Sequence, residues 1–228
     1  VRTLYQLVAD DQPTPGAYLV SGTRPSAELT VEMTAVNYSH LYYLADGLLD
    51  WVVMGNGLKD ISPVRRQYLN HNGIVSGGVW TGVGLSYFED LRGGSFAPTT
   101  PSYTKVAWIT ATTPTASHIC STSNDTSQHF ILEFGSLLVG GHAGYQVSFN
   151  YLALLGALHQ VAMSYDAVTQ RMALLVDGAL VDEATVAPSG TSGQVRFLDG
   201  FAGTCSRVAR WGRALSDREI RELYLRGV

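Results

Sequence analysis

Charge is scarce in this chain. Asp, Glu, Lys and Arg supply 15% of its 228 residues, against about 25% in an average globular protein, so solubility has to rest on Ser, Thr, Asn, Gln and Gly. That habit is one of secreted and virion-surface β proteins. The formal net charge of −4 provides no electrostatic footprint for nucleic acid. No basic cluster or basic amphipathic helix points to a membrane surface, and no apolar run is long enough to span a bilayer, so neither nucleic acid nor membrane insertion is expected. Residues 1–20 lack the charged-then-apolar order of a secretion signal, although a leader removed ahead of Val1 is compatible with this.

Cysteine is scarcer still. Cys120 and Cys205 allow one disulfide across a long loop or two core thiols; both fall in strand-like segments, which favours thiols. Nothing matches a zinc spacing such as Cys-x-x-Cys. Cys120 follows His118 on the same side of its strand, an arrangement better read as a buried thiol beside a surface histidine than as a nucleophile and base. Phosphate fingerprints are missing too: residues 74–84 are rich in glycine, but their spacing fits no nucleotide loop and no lysine follows. There is no Gly-x-Ser-x-Gly elbow to mount a serine nucleophile.

What is present is strand after strand. Residues 159–166 alternate Val161, Met163 and Tyr165 with Gln160, Ala162 and Ser164, the period of a strand with one buried face. Residues 171–176 repeat the apolar habit. Asp177-Gly178 supplies the positive φ of a tight hairpin, and residues 179–181 begin the return strand. Short apolar runs at 85–88, 103–110, 130–134, 137–139 and 145–149, separated by polar turns, argue for an all-β sandwich.

The end of the chain carries a helix signal. Ser216 and Glu219 form a capping box, with Leu215 and Ile220 as its hydrophobic staple. Ile220, Leu223 and Tyr224 share one face, and Gly227 suits the position just past the helix.

The first third of the chain reads less regularly. Residues 1–25 form an arm with strand-like 2–8 and 17–20 around a turn containing Pro13, Pro15 and Gly16. Residues 28–35 alternate cleanly as a half-buried strand. The run 41–54 fits two strands around Ala45-Asp46-Gly47. Ser62-Pro63 reads as an N-cap and first helical residue, predicting a short helix over 64–69 that ends at Asn72-Gly73. Residues 1–75 are therefore an extension, either an added subdomain or the first strands of the sandwich with an insertion, ahead of a sandwich over 76–228.

His159, Val161, Ala162, Tyr165 and Asp166, followed by Val176-Asp177-Gly178, resemble the core pattern of the laminin-G-like, concanavalin-type jelly rolls. Residues 102–109 resemble that family's Phe-Thr-x-x-Ala-Trp-Ile strand, and Phe201 to Gly203, Val208, Trp211 and 213–216 its closing strand and terminal helix. The resemblance covers roughly residues 85–228. It implies an antiparallel jelly-roll sandwich with a short C-terminal helix, on a fold that hosts lectins, adhesion modules, coats and hydrolases.

Glycosidases of this fold need two carboxylates on one strand face, in a form close to Glu-x-Asp-x-x-Glu or Glu-x-Asp-x-Glu, and no such run occurs. Glu28 and Glu32 share a face, but it is the polar one, and they stand about 13 Å apart along the strand. A glycoside hydrolase is thus the alternative; a non-catalytic module binding a glycan or protein surface is the expectation, within a larger extracellular or virion assembly. Trp80, Tyr145, Asn150 and Tyr151 could provide an aromatic and amide platform for a glycan, although Trp51, Trp80, Trp108 and Trp211 read more readily as packing residues. No cofactor is required. Relatives of this type often hold calcium at the rim, and Asn124, Asp125 and Asp199 are the candidate ligands, each with a competing role as a turn residue. The arm at 1–25 would suit docking onto a neighbouring subunit by strand addition.

Overall fold

The period-two run at residues 159–166 forms a strand, as do the apolar runs around it. In the computed structural model, the residues described are 5–6, 17–18, 42–82, 85–90, 102–113, 117–121, 128–133, 137–187 and 196–227. They fall into two compact units, Val1–Asp46 and Gly47–Val228. The first contains β1 (Tyr5–Gln6) and β2 (Ala17–Tyr18), paired antiparallel, and α1 (Tyr42–Ala45). The expected strand at 28–35 lies outside the described residues.

The second unit is the sandwich. Its strands are β3 (Leu48–Met54), β4 (Leu58–Asp60), β5 (Tyr68–His71), β6 (Ile74–Ser76), β7 (Val79–Gly82), β8 (Tyr87–Asp90), β9 (Tyr103–Ala111), β10 (Ser117–Ser121), β11 (Phe130–Glu133) and β12 (Leu137–His142). They continue as β13 (Tyr145–Asn150), β14 (His159–Asp166), β15 (Arg171–Val176), β16 (Ala179–Thr185), β17 (Arg196–Asp199) and β18 (Gly203–Trp211), and α2 (Asp217–Leu225) follows. Among the described residues one sheet runs β13-β12-β11-β10-β17-β8-β5. The other runs β16-β15-β14-β9-β18-β3-β4, with β7 and β6 attached beside the start of β18. All pairings are antiparallel, and the apolar core lies between the sheets.

The β15–β16 hairpin forms as its sequence dictates. Asp177 and Gly178 have φ of 51° and 72°, the primed turn that matches strand twist, and Asp177 locks it by accepting from Gln160 N (3.0 Å) and bonding His159 Nδ1 (2.7 Å). The two cysteines are free and buried. The Ser216–Glu219 capping box is made, with Leu215 and Ile220 both buried behind it.

Four expectations change. Strand β14 is buried on both faces, because the segment leading into α2 lies across its outer side: Ser164 Oγ donates to Leu215 O, and Thr104 Oγ1 to Arg213 O. Residues 64–69 do not form a helix. Arg65 takes a positive φ of 50°, the Ser62 hydroxyl is spent on Asp60 Oδ2 (2.9 Å), and Tyr68 is drawn into β5 opposite Asp90. Of two strands around residues 45–47, only the second exists as β3, because α1 occupies the first. β3, β4 and β5 pair into the two sheets, so the sandwich takes in residues well ahead of position 76.

Candidate functional site

The register places strand ends at two opposite poles. Strand β9 begins, and β14 ends, where Tyr103 pairs Tyr165. His142 at the end of β12 stacks on Tyr165 (ring centroids 3.7 Å) and shares a hydrogen bond with Tyr103 Oη (3.1 Å), joining the second sheet to the same pole. Asp90, Ser121, Thr185 and Arg196, the strand ends flanking residues 91–101, 122–127 and 188–195, also belong here. Those segments are rich in Ser, Thr and Gly. We refer to this end as the loop pole.

Its floor is a charged layer built from residues inside apolar runs. Asp50 interrupts β3, Arg210 interrupts β18 and Lys105 interrupts β9; Arg210 pairs both Asp50 and Lys105 in register. Asp50 is fully buried and receives Arg210 Nε (2.6 Å), the Tyr68 hydroxyl and the Arg66 guanidinium (3.2 Å). Arg66 also reaches Asp90 Oδ2 (3.1 Å), and its backbone N–H donates to Asp60 Oδ2 (2.7 Å). Burial, and then the Asp50 charge, push the Tyr68 hydroxyl far above the ordinary tyrosine range, so it remains a donor. Lys105 Nζ donates to Cys120 O (2.9 Å) and Gln128 O (2.5 Å), tying together the two strand ends around residues 122–127. A buried charge needs such partners to exist at all. Asp50 and Asp90 are taken by cations and Asp60 by backbone N–H groups and the Ser62 hydroxyl, all three buried and not offered to a groove as an acid and nucleophile.

Above this floor stand Tyr145 and Gln128. Ala143-Gly144, with φ of 54° and 84°, close the β12–β13 hairpin and leave Tyr145 58% exposed. Gln128 Nε2 is buried without a partner among the described residues. The two flank the end of β12 and so lie about 10 Å apart, two strand spacings.

The other residues picked out by sequence disperse. Asn150 ends β13 some 17 Å from Tyr145 along the strand, where its side chain caps Leu152 N (3.0 Å). Tyr151 and Trp80 lie in the core with no exposed surface. Trp80 sits within β7 instead of a loop, its ring against Phe88 and its Nε1 donating to Asn70 Oδ1 (3.0 Å). Trp51, Trp108 and Trp211 pack on one another on the outer side of the larger sheet. Asp199 is bonded by Arg196 (3.3 Å) at the pole opposite the loops, which puts a guanidinium where a cation would sit. Asn124 and Asp125 lie outside the described residues, and no group of three or more His, Cys, Asp or Glu that could hold a metal ion occurs among the described ones.

Sequence reasoning passed over Lys105, Asp50, Arg210, Arg66 and His142. The available signal was a lone charge within the apolar runs of β3 (Asp50) and β9 (Lys105), and two arginines, Arg207 and Arg210, within β18.

No protein-family model matches the chain, and no curated protein matches it. Solved structures do. The receptor-binding domain of botulinum neurotoxin D matches with a TM-score of 0.65 at 10% identity, over 81% of this chain and 54% of that one. The binding domain of botulinum neurotoxin DC in complex with SialylT matches with a TM-score of 0.63 at 13% identity, over 80% and 51%. The receptor-binding domain of the C/D mosaic serotype gives 0.64 at 11% identity, over 79% and 51%. The chain thus spans about half the length of these structures, and the likeness is one of fold: a jelly-roll sandwich.

Proposed function

We propose that the chain is a non-catalytic recognition module that binds a glycan, or the surface of a protein, at the loop pole. The observation that carries this is the gathering of the strand ends Asp90, Ser121, Thr185 and Arg196 at one end of the sandwich, together with a buried charged layer and the exposed ring of Tyr145. Recognition concentrates on loops held by a rigid scaffold, and tyrosine gives a sugar both an apolar face and a hydroxyl. Structural neighbours that are receptor-binding domains, one of them in complex with SialylT, support the same reading.

The module belongs to an extracellular or virion-surface assembly, in keeping with its low charge. Residues 1–25 dock it to a neighbouring subunit by strand addition; deletion of 1–25 leaving assembly unchanged would sink that part. Calcium, if held, sits on Asn124 and Asp125. A glycan array run in calcium and in chelator, with wild type and Tyr145→Ala, tests the main claim. Discrete binding that Tyr145→Ala abolishes supports it; hydrolysis of an arrayed sugar would restore the glycoside hydrolase alternative.

A further inference from the structure

The pole opposite the loops has the reverse chemistry. Between β13 and β14, residues 152–158 read Leu-Ala-Leu-Leu-Gly-Ala-Leu, seven positions without one polar side chain. A fold would normally bury such a run, yet Leu152 is 59% and Leu158 57% exposed. Ala153, Gly156 and Ala157 are exposed as well. Leu137, paired with Asn150 in the next strand, adds a further exposed leucine.

Much of this loop's N–H complement is hydrogen-bonded. Leu154 N donates to Tyr151 O, Leu155 N to Leu152 O, Gly156 N to Ala111 O and Ala157 N to Leu154 O. Leu152 N is taken by the Asn150 side chain. Each of these bonds lowers the cost of bringing the loop against an apolar medium, where an unpaired peptide group costs several kcal/mol. Asp177, in the adjoining turn, is turned onto His159 Nδ1 and Gln160 N, and Glu133 stands opposite Leu137. Across the Asp177-Gly178 turn stands the end of α2, where a Cβ on Gly178 would touch Arg221 Cα and Tyr224 Cβ. Tyr224, Leu225, Arg221 and Arg226 are all exposed there. Leucines flanked by a tyrosine and arginines are the side chains that favour the headgroup boundary of a bilayer.

We propose that this leucine pole docks onto a lipid bilayer, with the 152–158 loop entering the interface and the end of α2 resting on the headgroups. A protruding loop needs either a matching cleft or a deformable phase; lipid supplies the second without shape complementarity. Among the described residues no helix is long and apolar enough to cross a membrane; the proposed contact is made by the loop and the end of α2 alone, on one leaflet. Recognition at the loop pole and lipid docking at the leucine pole are separate sites.

Co-sedimentation with pure phosphatidylcholine vesicles, which carry no glycan or protein, tests this independently of saccharide recognition. Wild type is expected to sediment with the vesicles, and Leu152→Ser/Leu158→Ser to lose at least about tenfold in partitioning with unchanged thermal stability. Because Cys120 and Cys205 are both buried, a Leu158→Cys variant can be labelled selectively with an environment-sensitive dye; its emission should shift to the blue with vesicles and be quenched by nitroxide lipids. No sedimentation of wild type overturns the proposal, as does sedimentation that the double variant retains. A wild-type dimer in solution that the double variant converts to monomer, without vesicle binding, also overturns it by identifying the occupant as a second copy.

Discussion

His142 should make the fold sensitive to mild acid. It is fully buried at the end of β12, stacked on Tyr165 and bonded to Tyr103. Burial, and then the Lys105 charge, hold its imidazole at about 4, against an ordinary value of 6.5. Between those values the unfolded chain takes up a proton that the folded chain refuses. The stability contributed by the neutral ring is therefore complete above pH 6.5 and is lost progressively as pH falls towards 4. Each pH unit in that window removes about 1.4 kcal/mol, or about 3 kcal/mol in all, a large share of a typical 5–15 kcal/mol total. Denaturant unfolding of wild type and of Tyr103→Phe/His142→Phe, stepped from about pH 8 to about pH 4, isolates the effect. The double variant removes both ends of the hydrogen bond, so no hydroxyl is left unpaired. The difference between the two profiles should be flat above pH 6.5 and close by about 3 kcal/mol on the way down. Parallel profiles through the whole window would refute the reasoning.

Other perturbations reach other parts of the structure. Arg210→Met strips Asp50 of its nearest cation and should cost about 3–5 kcal/mol, much of it recovered when Asp50→Asn is added, a coupling that a double-mutant cycle reads directly. Ser216→Ala removes the capping box of α2 and should cost about 1 kcal/mol in thermal or denaturant unfolding. Gly178→Val meets both a positive φ and the Arg221 Cα at 2.9 Å, so it should destabilise by more than about 1 kcal/mol. Both thiols are buried and pushed up by that burial, Cys205 to about 12; a disulfide-exchange reagent should titrate neither in the folded protein and both in guanidinium.

The fold was legible where local chemistry and long-range pairing agree. Asp177-Gly178 has one good use between two apolar runs, and Ser216-x-x-Glu219 has one good use ahead of Ile220. Where they disagree, pairing won. Ser62-Pro63 carries a sound helix-start signal, yet Asp60 captures the serine hydroxyl, and Asp50 and β8 together draw Tyr68 into a sheet. Alternation in β14 shows which residues share a face, but it cannot tell that the segment leading into α2 will lie across the polar one. The site suffered most from this. Tyr145 and Asn150 are five residues apart in sequence and stand at opposite poles, a separation set by strand length, while Lys105, Asp50 and Arg210 are distant in sequence and adjacent in register. Aromatic residues near turns, such as Trp80 and Tyr151, look available until the strands on either side enclose them.

Glycan recognition at the loop pole is tested most directly on the array, in calcium and in chelator, with wild type beside Tyr145→Ala. Binding confined to a discrete set of glycans and lost with the Tyr145 ring is the predicted result. A blank array in both conditions, or binding that Tyr145→Ala leaves undiminished, would contradict it.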